Sequence, residues 1–347
     1  MRPFPLSSTA AVATIVLALG FVPRLVADGP YHFLKEIPIG GDGGWDYLSV
    51  DPAAHRLYVS HGTEVVVVDT ARDEVVGTIA DTPGVHGLAV AADLQRGFTT
   101  NGRENKVGIV DLATLRTLAK VDTGANPDGM LYVGSTHEVY AFNGRGQSVT
   151  IIDAPTGRVA ATVPLGGKPE FATVDEAAGR VYDNLEDRSE IVVLDAHSHA
   201  VVAHWPIAPG EEASGMAIDV AHHRLFLGCG NQLMAMVDST NGRVVATVPI
   251  GRGVDANAFD PGTGLAFASC GDGTVTVARE ETPDKLTVVQ TLVTEPRART
   301  MTLDPVTHRI YLATAKFEAP AETAAEGRRS RPKMVPGSFK VLVYGMN

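Results

Sequence analysis

One pattern recurs seven times in these 347 residues, and it limits the possible folds more than any other feature. A short apolar run closes on Asp or a small residue, a turn follows, and a second apolar run opens five positions later, usually on Arg. The runs and their openers are 47–51 with Arg56, 88–91 with Arg96, 130–133 with Glu138, 171–175 with Arg180, 216–219 with Arg224, 256–260 with Leu265, and 301–304 with Arg309. Successive copies are spaced by 40 residues (51 to 91) to 44 residues (175 to 219). A third run closing on Asp follows in most copies, at 65–69, 107–111, 149–153, 191–195 and 233–238. A fourth comes after a turn such as Pro155-Thr-Gly-Arg or Thr240-Asn-Gly-Arg. β-Branched runs bounded by Gly, Asp, Asn and Pro are strand-and-turn chemistry. A unit of four short strands cannot bury its apolar faces alone, whereas a ring of such units buries them against one another. The fold predicted is therefore all-β, a seven-bladed propeller with four antiparallel strands per blade.

The last copy supplies two strands near 300–314 and a third at 339–344, so its fourth is expected from the N-terminal strand at 32–39. That pairing closes the ring and leaves no orphan sheet edge. Residues 315–337, rich in Ala, Pro, Glu and Arg, read as a loop insertion in the last blade, and 28–347 as a single domain.

The string Arg-Leu-Tyr-Val-Ser at 56–60 is followed by Val-Val-Val-Asp at 66–69, and Gly-Arg-Val-Val-Ala-Thr-Val-Pro-Ile-Gly stands in an outer strand at 242–251. These strings resemble the YVTN-type β-propeller repeat, and the chain is similar to the exported bacterial proteins described as YncE-like. The resemblance covers 31–347 apart from the insertion. It implies the propeller fold and carries little about activity, because such propellers serve as enzymes, cofactor holders and binding platforms.

Residues 1–27 read as a secretory signal peptide, with Arg2 at the start, an apolar stretch over 10–21, and Leu25-Val26-Ala27 before the cut. Twelve apolar residues are too few for a membrane span, which needs roughly 20. Cleavage would remove Arg2 and Arg24 and move the net charge from −11 to −13. The expectation is a soluble, monomeric, periplasmic or secreted protein. Its 29 basic against 40 acidic residues argue against nucleic acid as a partner, since that binding runs on phosphate neutralisation. Two distant Cys exclude a disulfide framework, a CxxC pair and a four-Cys zinc site.

The inner strand of each blade lines the central channel. Counting five residues back from each Asp-equivalent position gives Asp46, His86, Asp128, Glu170, Ser214, Asp255 and Arg299. Apolar strand positions stay apolar from copy to copy, yet here the copies diverge into mostly ionisable types, which points to a site at the channel mouth. Asp46, His86, Asp128, Glu170 and Asp255 suit a divalent cation such as Ca²⁺ or Mn²⁺. In a catalytic version His86 transfers protons, crowding makes Glu170 or Asp128 a general acid or base, and Arg299 clamps an anionic substrate. Trp45 and Ser214 join as ligand contacts, Trp45 offering a stacking face.

The ends of the second strands return to the same face, bringing Asn101, Asn143, Arg103, Arg145 and Glu186 as further ligand contacts. His61, Cys229 and Cys270 also end there, and a soft metal between them is the weaker alternative site. Matching positions in neighbouring blades stand about 9–10 Å apart, beyond the roughly 7 Å a disulfide spans; two buried small hydrophobes is the other reading of the thiols. His55, His223 and His308 are expected in solvated turns on the opposite face. His222-His223 and His197-x-His199 also fall in turns, without partners at metal-site spacing. The function expected is binding of a small polar ligand or metal ion at the mouth, with metal-assisted hydrolase or lyase chemistry as an extension. The competing class is a protein-interaction platform, and a third possibility makes the ring side chains mere caps of strand starts that hold channel water.

Overall fold

The computed structural model describes residues 29–318 and 332–346. The segment read as a signal peptide, 1–27, lies outside the described residues, as does most of the insertion. Seven four-stranded antiparallel sheets form the blades. Their inner strands, in order from blade 1 to blade 7, are Trp45–Asp51, Val85–Ala91, Pro127–Val133, Pro169–Asp175, Ala213–Asp219, Val254–Asp260 and Met301–Asp304. Each inner strand packs beside those of both neighbouring blades, so the ring is closed around one axis. The only helical segments among the described residues are two single turns of 3-10 helix, Ala92–Leu94 and Glu186–Arg188.

Burial explains the composition of each strand. The second and third strands lie between blades and are covered on both faces. Hence Arg56–His61 and Glu64–Asp69 are buried almost throughout and read as unbroken apolar runs. The outer strand Glu74–Ile79 buries only Ile79 and leaves Glu74, Val75, Val76 and Thr78 exposed. The core is a set of layers between blades. One layer joins Leu57, Val59 and Val66 of blade 1 to Tyr311, Val341 and Val343 of blade 7. Each such side chain contributes about 1.5–3 kcal/mol when fully buried.

Blade 7 consists of Met301–Asp304, Arg309–Thr314 and Lys340–Gly345, with His32–Pro38 as its outer strand. The two ends of the chain pair from His32 opposite Gly345 to Pro38 opposite Lys340. Ile37 is buried in the seam, and Lys340 Nζ holds Glu36 at 2.6 Å and Glu295 at 2.7 Å.

The fixed five-residue offset in the sequence is turn geometry. At the end of the inner strand Asp51, Asp175, Asp219, Asp260 and Asp304 accept hydrogen bonds from backbone N–H groups two or three residues on. His55, His223 and His308 then take a left-handed conformation (φ 52° to 56°) that turns the chain into the second strand. In blades 1, 4 and 5 the Arg that follows pairs with the Asp closing the third strand, as Arg56 does with Asp69 at 2.9 Å. His308 departs from the expected solvated role. Its Nδ1 lies 2.7 Å from Asp260 Oδ2 of the preceding blade and ties blades 6 and 7 together.

Candidate ligand site at the channel mouth

The residues counted back from the Asp positions stand where the inner strands slip register. Pairing with the second strand jumps from Trp45 to Leu48, from Val85 to Leu88, from Pro127 to Met130, from Pro169 to Ala172 and from Ala213 to Met216. Such bulges free side chains to be re-aimed, and here they present Asp46, His86, Asp128, Glu170 and Ser214 at the mouth. The amides freed by the slip find hydroxyl partners on the second strand, Asp46 N on Ser60 Oγ at 2.9 Å and Gly87 N on Thr100 Oγ1 at 3.1 Å.

His86 is the hub. Its Nδ1 lies 2.7 Å from Asp46 Oδ2 and 3.3 Å from Asp128 Oδ1. One donor atom from each of the three residues falls within 4.8 Å of the others, a spacing a single metal ion can span. Burial lowers the imidazole pKa, but the hydrogen bond to Asp46 and the charges of Asp128, Asp46 and Glu170 outweigh it and hold the pKa above the usual value. Burial raises the carboxyls of Asp46 and Asp128 against the opposing pull of His86. The imidazole edge also needs room. A Cβ on Gly102 would stand 2.6 Å from His86 Nε2.

The other ring members form two ion pairs. Glu170 forms an ion pair with Lys168 Nζ at 2.9 Å, and the same ammonium bridges to Glu186. Burial and the Asp128 charge push Glu170 up to about 7 despite that lysine. Asp255 lies 3.4 Å from Arg299 Nε, and burial pushes its pKa up to about 6. The Arg299 side chain is more than half exposed, and Asp255 is its one ion-pair partner among the described residues. Around the acids runs a basic rim. Arg103 and Arg145 line an open cleft of about 580 Å³ beside Asp46 and His86. Arg252, Arg297 and Arg299 line an adjoining one of about 850 Å³.

Sequence reading missed the floor of the site. Tyr47 crosses the channel from blade 1 and donates its hydroxyl to the Glu170 carbonyl of blade 4 at 3.0 Å. Its ring meets Phe171 edge-on at 5.3 Å. The equivalent positions Gly87 and Gly129 lie beside these rings and leave room for them. At Gly129 the approach is closest, since a Cβ there would lie 2.3 Å from the Glu170 carbonyl oxygen. Asp183, on the second strand of blade 4, was missed as well. It is fully buried, and burial together with the Glu170 charge raises its pKa well above the carboxylate range. The matching positions in the other blades are Val59, Thr99, Ala141, Leu227, Ala268 and Leu312, so an acid there was visible as a departure from the repeat.

Several expected contacts fall elsewhere. Asn101 and Asn143 are fully buried and work inside their own blades, Asn101 on Glu104 at 2.8 Å and Asn143 on Thr150 at 3.0 Å. They cannot face a ligand. Trp45 reaches the rim, but its ring stacks on Phe339 at 5.1 Å and meets Phe317 of the insertion at 6.1 Å. Ser214 is half-buried, and its carbonyl accepts from Asn184. The soft-metal grouping does not form. His61 stacks on Phe339 beside blade 7, while Cys229 and Cys270 sit in separate core layers. Both thiols are free and buried, and burial pushes them up to about 11 and about 12. They behave as small hydrophobes.

No protein-family model and no curated protein sequence matches this chain. Solved structures do resemble it in shape. The structure of U3-55K aligns with a TM-score of 0.74 at 11% identity, over 89% of this chain and 97% of that one. The WD40 repeats of RRP9 align at 0.75 and 11%, over 89% and 96%. A chain of the mitotic checkpoint complex aligns at 0.70 and 15%, over 90% and 95%. No helix among the described residues is long and apolar enough to cross a membrane. At such identities the likeness is one of fold, and the chain is an all-β propeller of seven four-stranded blades.

Proposed function

We propose that the mouth binds a divalent cation between Asp46, His86 and Asp128, together with a small anionic ligand held by the basic rim. The convergence of three donor atoms within 4.8 Å carries the reading. The two carboxylates, brought together from blades 1 and 3, repel one another less when a cation sits between them, and the imidazole from blade 2 supplies a third ligand atom. Arg299, Arg103 and Arg145 are exposed and can meet a carboxylate or phosphate oxygen bidentately.

His86 fits the role of ligand better than that of proton carrier, because its Nδ1 is committed between two acids. Glu170, at about 7, is the group suited to exchange protons near neutrality, and metal-assisted hydrolysis or elimination would run through it. Export after loss of residues 1–27 and membership among the YncE-like YVTN propellers belong to the same proposal, the first resting on the apolar stretch before Leu25-Val26-Ala27 and the second on the resemblance of the repeats.

The test is binding. Chelator-stripped protein is titrated with MnCl₂, then with inorganic phosphate or citrate in the presence of Mn²⁺. The expectation is that D46N/D128N weakens the ion and R145A/R299A weakens the anion. Unchanged binding in both variants refutes the reading. A second class, a protein-interaction platform, is favoured by the likeness to a component of a checkpoint complex. Capture of a defined protein partner that survives D46N/D128N would support it.

A further inference from the structure

The inner strands end about 20 Å from the mouth, at 3.3 Å per residue, and there blades 5 and 6 differ from the rest. The residue after the close of the third strand is Thr70, Leu112, Ala154, Ala196 and Ser239 in blades 1 to 5. In blade 6 the third strand runs on as Thr274–Thr282, and this position holds Glu280. The Arg–Asp pair is also absent there, since Leu265 stands opposite Arg279. The Glu280 side chain is only 2% exposed, and neither of its oxygens has a hydrogen-bond partner among the described residues.

Glu280 points at blade 5. Its Oε1 lies 3.2 Å from His222 Nδ1, whose hydrogen bond goes to Asp219 Oδ2 at 2.7 Å. Asp219 is held in turn by the Ala221 amide at 2.9 Å. One donor atom from each of the three residues lies within 4.8 Å of the others. Arg224, on the second strand of blade 5, is occupied by the Pro283 carbonyl, by Asp284 at 3.1 Å and by the His223 carbonyl at 2.9 Å. A buried carboxylate without a donor is strongly disfavoured, and two of them side by side more so. A proton or a metal ion must offset the charge. His222 is 53% exposed, so the cluster opens to solvent on one side and an ion has a way in.

We infer that Asp219, His222 and Glu280 form a second divalent-cation site, on the face opposite the mouth, which ties blade 5 to blade 6. One imidazole with two carboxylates matches Zn²⁺ or Mn²⁺ better than Ca²⁺, which takes six to eight oxygens. The His222-His223 pair looked unpartnered in the sequence because its third ligand comes from the next blade.

The experiment uses the full chain, purified without a histidine tag and stripped with EDTA, and titrated by calorimetry with ZnCl₂ and separately with MnCl₂. Wild type, E280Q, H222A and the mouth variant D46N/D128N are compared. D46N/D128N is expected to keep one bound ion. E280Q and H222A are expected to lose one relative to wild type, or to bind it about tenfold more weakly or worse. Saturating ion should raise the melting temperature of D46N/D128N, and adding E280Q to that variant should abolish the rise. In EDTA, E280Q should melt at or above wild type, which separates loss of a ligand from loss of fold, and H222A alters only an exposed side chain. The inference is overturned if E280Q and H222A bind as many ions as wild type with the same affinity, or if D46N/D128N binds none. Failure of the mouth reading looks different: wild type and D46N/D128N would then bind the same number of ions.

Discussion

The two ends of the inner strands face opposite solvents and obey opposite rules. At the base, Asp51, Asp175, Asp219, Asp260 and Asp304 repeat one residue for one task, capping the turn into the second strand. At the mouth, the matching position runs through Asp46, His86, Asp128, Glu170, Ser214, Asp255 and Arg299, and burial raises the pKa values of the acids there despite their cationic neighbours. Sameness around the ring marks a residue that caps the turn of its own blade, and Asp260 and Asp219 add to that task a contact or a cluster with the next blade. Difference marks residues that serve something shared by all blades.

The comparison breaks first if the base is not stabilising. Asp260 is fully buried and accepts from the Gly262 amide at 3.0 Å and the Thr263 hydroxyl at 2.9 Å, besides holding His308. D260A should lower stability by about 3 kcal/mol in urea unfolding, since several hydrogen bonds to a carboxylate are lost and their donors are left unpaired. Wild-type unfolding of this variant would remove the distinction.

Next in size is the floor beneath the mouth. G129A pushes a methyl into the Glu170 carbonyl and should cost about 2 kcal/mol. It should also disturb the Tyr47 bond across the channel, visible as a changed tyrosine environment in near-ultraviolet circular dichroism. A silent G129A would mean that the floor yields easily.

The pH response sharpens the contrast, because the two ends slope in opposite directions. Glu170 in the fold titrates at about 7 against an ordinary 4.5. Below about pH 4.5 folded and unfolded chains both carry the proton, and as pH rises through 7 the fold must bury a charge that the unfolded chain hydrates. In EDTA at pH 8, E170Q should therefore melt about 3 °C above wild type, with the gain vanishing near pH 4.5. At the base of blade 4, hydrogen bonds from Ser198 hold Asp195 down at about 2, below its ordinary 3.8. Its contribution is present above 3.8 and is lost as pH falls through 2, so D195N should be destabilised at pH 7 and indistinguishable from wild type near pH 2. Equal slopes in the two variants would erase the difference between the ends.

The smallest effect is expected at the rim. Arg145 is exposed on the open cleft, and R145A should change stability by less than about 0.5 kcal/mol while weakening phosphate or citrate at the mouth. A large loss of stability would make this arginine part of the scaffold.

Much of this was legible in residues 29–347 because a repeat is its own control. Strand phase, the turn offset and the ring position all follow from aligning the copies, and so did the gathering of Asp46, His86 and Asp128. Asp183 and Glu280 were legible by the same test, as acids where the other blades place apolar or small residues, but counting back to a single position overlooked them. Asn101 and Asn143 were read by their place at the strand ends, and burial within their own blades overruled that.

The sequence by itself determined the number of blades, the order of strands within them and the face on which the unlike residues would collect. Those depend on periodicity along the chain, which the apolar pattern carries in every copy. Only the tertiary structure decided which of these residues meet. Tyr47 reaches Glu170 three blades away, Lys168 is shared by Glu170 and Glu186, and Glu280 finds His222 across a blade boundary. Such contacts depend on side-chain reach across the axis and between blades, and the spacing of residues within one copy holds no record of either.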